Sequence, residues 1–277
     1  MLKKLKTYIS EKFSHQEIDN RVSMQRENKL LNNQNKLAIC LWKSTGRMVY
    51  SGPFASLPIP EKIVTAQNIP YILGSYEREL HPIIYQLIGK QLNFGVIVGA
   101  GFGYYTIGLA YTIKNSQIIA FEQKQELNEI IKEWSSLSHT SEKIQLEGSA
   151  NLSNLQNISG QPDFLLMDCE GLELDLLCPS DILWLSKCII ICEIHGFYSP
   201  NLLGELCHRL KDTHKIDIID EYPVNSRDYQ ILSTLTSEES DFCIHIDRWI
   251  YKGNENFKVF TTGQFLIALP NNKENLL

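Results

Sequence analysis

From residue 94 onward, short apolar runs follow one another at regular intervals: FGVIVG, QIIAFE, KIQLEG, PDFLLMD, CIIICEI and KIDIID. The segments between them fit amphipathic helices. A strand that is apolar on both faces needs cover on both faces, which helices supply in α/β proteins. Strands alternating with helices imply right-handed crossovers and a doubly wound, mostly parallel sheet. The expected fold class is therefore α/β and Rossmann-like. A last apolar run, QFLIALP, follows a long polar stretch and reads as an added edge strand.

Two units are expected, an N-terminal extension over residues 1–90 and the Rossmann-like domain over 91–277. In the extension, Leu5, Ile9 and Phe13 recur at loose helical spacing in a Lys-, Glu-, Asn- and Gln-rich stretch. In KLAICLWKSTGRMVYS, two apolar segments flank Ser44-Thr45-Gly46, which reads as a β-hairpin. The Pro/Gly-rich SGPFASLPIP is a connector. In LGSYERELHPIIYQLI, Ser75 can cap a helix whose first turn carries Glu77 and Glu79, as the helix dipole favours.

The glycine motif carries the strongest chemical signal. In FGVIVGAGFGYYTIGLA a strand ends at Gly99, a turn runs through Gly101 and Gly103, and a helix starts near Tyr104. Glycines there permit a tight turn and close approach of a ligand to the backbone. A dinucleotide fingerprint wants glycine at position 104; Tyr104 gives GxGxG instead, a spacing more typical of S-adenosylmethionine sites. Glu122 ends the next strand, where an acid accepts hydrogen bonds from ribose hydroxyls. The expected cofactor set is Gly99, Ala100, Gly101, Gly103, Tyr104, Glu122, Gln123, Gly148 and Asp168.

Asp168 and Glu170 follow the strand PDFLLM, and Glu193 and His195 end the strand CIIICEIH. In such sheets ligands sit at the carboxyl edge, so these four can face one cleft. Asp168 and His195 are the candidate bases, and Glu170 the candidate group that orients an acceptor. Two carboxylates and an imidazole also suit several divalent ions, but the spacing is not diagnostic and no metal is expected.

Composition narrows the partners. The formal net charge of −6 disfavours a phosphate backbone as ligand, and only MLKKLK is plainly basic. That segment lacks the apolar core of a signal peptide, and no run is long enough to cross a bilayer. Seven cysteines without a CxxC pair, several inside apolar runs such as Cys188 and Cys192, fit a reducing, cytoplasmic location. The expected partners are a small-molecule or glycan acceptor and, at most, a second copy of the chain in a homodimer.

The segments VIVGAGFGYYTIGLA, IIAFEQ, FLLMDCEGLELDLL and CEIH together resemble the FkbM-like methyltransferases, and SGPF and LGSYERELHP resemble what precedes the glycine motif there. DCEGLE is close to the D-x-E-G-x-E of that family. The resemblance covers about residues 50–200. It implies a seven-stranded sheet of class I methyltransferase type, S-adenosylmethionine as cofactor, and O-methyl transfer. One position departs. Such enzymes often carry an acid two residues before the first glycine, where it helps hold the cofactor's amino group, and here that residue is Ile97. Tyr76 or Glu77 can replace that contact if their segment folds over the cleft; plain helix capping is the alternative. Two other readings stand beside the methyltransferase: a non-catalytic ligand-binding or scaffold protein on the same fold, and an NAD-dependent oxidoreductase, which Tyr104 disfavours.

Overall fold

The computed structural model describes residues 32–196, 199, 201–221, 224–245 and 264–271. The Leu5–Phe13 pattern, MLKKLK and residues 246–263 lie outside them. Seven strands form one sheet in the order β3-β2-β1-β4-β5-β7-β6: β1 Phe94–Val98, β2 Gln117–Phe121, β3 Ile144–Glu147, β4 Phe164–Met167, β5 Ile189–Glu193, β6 His214–Asp220 and β7 Gln264–Pro270. The first five are mutually parallel, and β7 runs antiparallel to both β5 and β6. This is a Rossmann-like, doubly wound, mostly parallel sheet.

QFLIALP is not an edge strand. β7 lies between β5 and β6, with Phe265, Leu266, Ile267 and Ala268 all buried. A central strand must be apolar on both faces. The edge on that side is β6, whose HKIDIID keeps charged residues exposed, a pattern that discourages pairing with another chain.

Consecutive strand residues divide between two cores. Ile97, Phe164, Leu166, Ile189 and Ile191 join the core on one face. Val96, Val98, Leu165, Met167, Ile190 and Cys192 join the other, where helix α8 (Leu202–Leu210) packs Leu202, Leu206 and Leu210. The first core also takes in Leu41, Trp42, Phe54, Leu57, Ile72 and Ile84, so the segment before the sheet packs directly on it. Helix α4 (Tyr104–Thr112) accepts that segment at Gly108, where an added Cβ would lie 2.5 Å from the Phe54 ring.

Two expectations for this segment fail. Residues 32–44 are a helix, α1, not the first arm of a hairpin. Ala38, Leu41 and Trp42 lie at helical spacing and are buried together, and Gly46 at φ 69 serves the left-handed stop just beyond the helix. Ser75 caps nothing. It follows α2 (Ile69–Leu73), which ends on left-handed Gly74, and is buried. Helix α3 (His81–Gly89) starts six residues later, with a proline at its first turn. Glu77 precedes the 3-10 turn Arg78–Leu80 in left-handed conformation, and Glu79 lies within that turn.

Candidate active site

β1 and β4 are neighbours although β2 and β3 intervene in sequence, so the strand order reverses there and a crevice opens at the carboxyl edge. Gly99 sits in that crevice at φ 82. A Cβ on it would lie 1.6 Å from the Asp168 carbonyl oxygen, so only glycine lets the two strand ends meet. Gly101, at φ 55, is the opposite case: a Cβ there meets nothing within 4 Å.

A groove of about 190 Å³ runs along this edge. Gly99, Gly101, Glu122, Gln123 and Asp168 line it, joined by Ser149, Ala150 and Leu172. Glu122 is buried. Its Oε2 accepts from the Gly101 N–H at 2.8 Å and its Oε1 from the Lys124 N–H at 2.8 Å. Each oxygen retains further lone-pair capacity, which suits vicinal ribose hydroxyls. These acceptors thus fit a ribose diol.

The other members of the expected cofactor set lie elsewhere. Ala100 donates its N–H to the Phe121 carbonyl, Gly103 caps α4, and Gly148 is exposed; none of them lines the groove. Tyr104 is buried in an aromatic cluster, stacked on Tyr71 at 4.6 Å. It lines a separate small cavity whose walls include Glu77, Ile97, Gly99, Asp168 and Glu193.

Beyond β4 and β5 the predicted acids and histidine come together. His195 is 7% exposed. Its Nε2 lies 3.6 Å from Asp168 Oδ1, 3.6 Å from Glu170 Oε2 and 3.9 Å from Glu193 Oε2. Its Nδ1 is 2.6 Å from Glu173 Oε1. Glu173 opens helix α7 (Glu173–Leu176) and is fully buried. Sequence reasoning missed it, although it is the last acid of DCEGLE. Glu170 is left-handed at φ 54, and its side chain is 68% exposed. Asp168, Glu193 and His195 bring ligand atoms within 4.8 Å of one another, a grouping that could hold a divalent ion.

Burial disfavours the imidazolium of His195. The hydrogen bond with Glu173 and the charges of Asp168, Glu173 and Glu170 outweigh it and hold the pKa above its ordinary value. Burial pushes Glu193 up to about 10, with repulsion from Glu77 and Asp168 adding to it. Burial and the charge of Asp168 push Glu77 up to about 8. Asp168 rises to about 6 through burial, against the pull of His195.

A carboxyl whose pKa is raised on folding binds protons more tightly in the folded state. Its stabilisation is present at acid pH and is lost as pH rises through the folded pKa. The unliganded protein is therefore expected to lose on the order of a few kcal/mol of stability between pH 6 and pH 9, and Glu193→Gln is expected to flatten that fall. Thermal melts across this range check both; a melting temperature that rises with pH contradicts the assignment.

No family model matches the chain, and no curated protein matches it. Solved structures of similar fold include the O-methyltransferase TomG from Streptomyces achromogenes in complex with SAM, at 11% identity, a TM-score of 0.44, and coverage of 85% of this chain and 89% of that one. An rRNA methylase from Streptococcus thermophilus matches at 11% identity and a TM-score of 0.47, over 70% of this chain and 96% of that one. A precorrin-6y C5,15-methyltransferase from Geobacter metallireducens matches at 11% identity and a TM-score of 0.45, over 67% and 87%. Among the described residues no helix is long and apolar enough to cross a membrane.

Proposed function

We propose that this chain is an S-adenosylmethionine-dependent methyltransferase of FkbM-like type, acting on a hydroxyl of a small molecule or glycan. One observation carries the reading. The carboxylate of Glu122 is tied to the Gly101 amide at the wall of a groove that Gly101 leaves open. The net charge of −6 supports a non-nucleic-acid acceptor.

When bound, the cofactor supplies a methyl group already activated on a sulfonium. The protein's task is then to position the acceptor and remove its proton. Glu173 is an acceptor only, so the proton of a neutral His195 sits on Nδ1 and Nε2 is the basic nitrogen. Nε2 faces Asp168 and Glu170, which are placed to orient the acceptor hydroxyl and to stabilise the imidazolium once the proton has moved.

Calorimetry with S-adenosylhomocysteine tests the cofactor. Wild type is expected to bind at about 7–8 kcal/mol, in the low-micromolar range. Gly101→Val is expected to lose binding up to about millimolar ligand, because a β-branched side chain would enter the open groove and is strained at φ 55; thermal melts establish that the variant folds. Wild type that binds NADH and not S-adenosylhomocysteine, or a valine variant that binds normally, overturns the reading.

A further inference from the structure

A second pocket, of about 370 Å³, lies between the segment that leads into α3 and the 3-10 turn Ser226–Asp228. Its volume falls within the roughly 300–1,000 Å³ of small-molecule sites. Consecutive residues divide between this pocket and the small cavity beside Ile97 and Gly99. Tyr76 and Glu77 line the cavity together with Asp168 and Glu193, and Arg78 lines the pocket. His81, in the pocket, has its Nε2 3.2 Å from the Tyr76 carbonyl oxygen. A molecule held there therefore lies behind one wall of the catalytic site.

Charge in the pocket cancels. Arg78 pairs with Asp228, and its guanidinium also lies 5.9 Å from the centre of the Tyr229 ring, so the pair is held from two sides. The ion pair takes one oxygen of Asp228, whose side chain is 45% exposed and retains further acceptor capacity. A carbonyl only accepts, so the proton of a neutral His81 sits on Nε2 and leaves Nδ1 as an acceptor. Burial, with the Arg78 charge adding to it, pushes this imidazole down to about 4, so it is uncharged at neutral pH. Tyr85 contributes a ring that is 52% exposed. Gly52 keeps the space open: a Cβ there would lie 2.6 Å from the Gly74 carbonyl oxygen.

These features select among ligands. A charged ligand gains little from a pair that is already neutralised, and an apolar one would strip water from that pair at a cost. A sugar ring uses every part. Each hydroxyl both donates and accepts, so neighbouring hydroxyls meet a donor and an acceptor fixed side by side in Arg78 and Asp228. The C–H face of the ring packs on an exposed aromatic side chain such as Tyr85. We propose that this pocket seats one neutral sugar unit of a glycan acceptor, outside the cleft in which another unit is methylated. This narrows the acceptor class given above and rests on that reading.

The test uses the full chain and the methyl glycosides of glucose, galactose, mannose and fucose, with methyl glucuronide as a charged control. Saturation-transfer NMR titrations read binding, and thermal melts establish that each variant folds. At least one neutral glycoside is expected to bind with a Kd of about 1–10 mM, and methyl glucuronide more weakly. Tyr85→Ala and Asp228→Asn are each expected to weaken that glycoside about tenfold, and Tyr85→Phe, which keeps the ring, by less than about twofold. Both weakened variants are expected to hold S-adenosylhomocysteine within about twofold of wild type, since neither residue lines the groove. Oligosaccharides containing the bound sugar are expected to take label from methyl-labelled S-adenosylmethionine, and Tyr85→Ala to raise their KM about tenfold with kcat held. No glycoside binding up to about 50 mM, binding that Tyr85→Ala leaves intact, a preference for methyl glucuronide, or no oligosaccharide labelled in a Tyr85-dependent way overturns the proposal. Glycoside binding by a wild type that binds no S-adenosylhomocysteine overturns the cofactor reading instead.

Discussion

His195→Ala is expected to lower kcat by about 10²–10⁴-fold, the usual worth of a positioned base, and to leave the Kd for S-adenosylhomocysteine within about twofold. The two effects separate because His195 does not line the groove proposed for the cofactor, yet its Nε2 faces Asp168, which does. Proton removal matters in the transition state and not in cofactor docking. Asp168→Asn should behave differently. Its side chain is shared between cofactor and acceptor sides, so turnover and affinity should fall together. Single-turnover methyl transfer, with an acceptor found by screening against methyl-labelled cofactor, reads the first quantity and calorimetry the second. A His195→Ala variant with normal turnover removes the imidazole from the chemistry; one that loses S-adenosylhomocysteine binding assigns it a structural role.

Much of this site is legible in the chain because a Rossmann-like sheet places ligands at strand ends, and strand ends are marked by where apolar runs stop. FGVIVG, QIIAFE, PDFLLMD and CIIICEI locate Gly99, Glu122, Asp168 and Glu193 in this way, and His195 follows two residues on. Glu173 escapes the same reasoning. It lies on a helix, where an acid in the first turn is ordinarily read as solvated and favourable to the dipole, and nothing local tells of burial beneath His195. The N-terminal segment escapes for a different reason. KLAICLWK mixes β-branched and aromatic residues with a helical spacing of Ala38, Leu41 and Trp42, and packing against the sheet overrides the strand propensity. The place of QFLIALP is likewise a tertiary matter. Its apolar character on both faces marks it as internal, but which strands it parts depends on β6 returning to the outside.

Glu173→Gln, nearly isosteric, is expected to cost about as much as removing the base, on the order of 10²–10⁴-fold in kcat, although residue 173 touches neither cofactor nor acceptor. It is a positioning residue. A carboxylate can only accept, so Glu173 fixes the Nδ1 proton and leaves Nε2 basic. Glu173 Oε1 also accepts from the Gly171 N–H, which would hold a glutamine's oxygen in place, so the main change is loss of the negative charge that stabilises the imidazolium. Folding should lose no more than about 1–3 kcal/mol, because the substitution keeps the volume but puts an amide donor where Glu173 Oε2 has no hydrogen-bond partner. The pH profile distinguishes this from a packing defect. Glu173 holds the His195 pKa above its ordinary value, so the acidic limb of kcat/KM should lie above the usual histidine range in wild type. In Glu173→Gln that limb should move to lower pH while the plateau drops. A lower plateau with an unmoved limb would mean that Glu173 supports the fold of α7 and not the chemistry of His195.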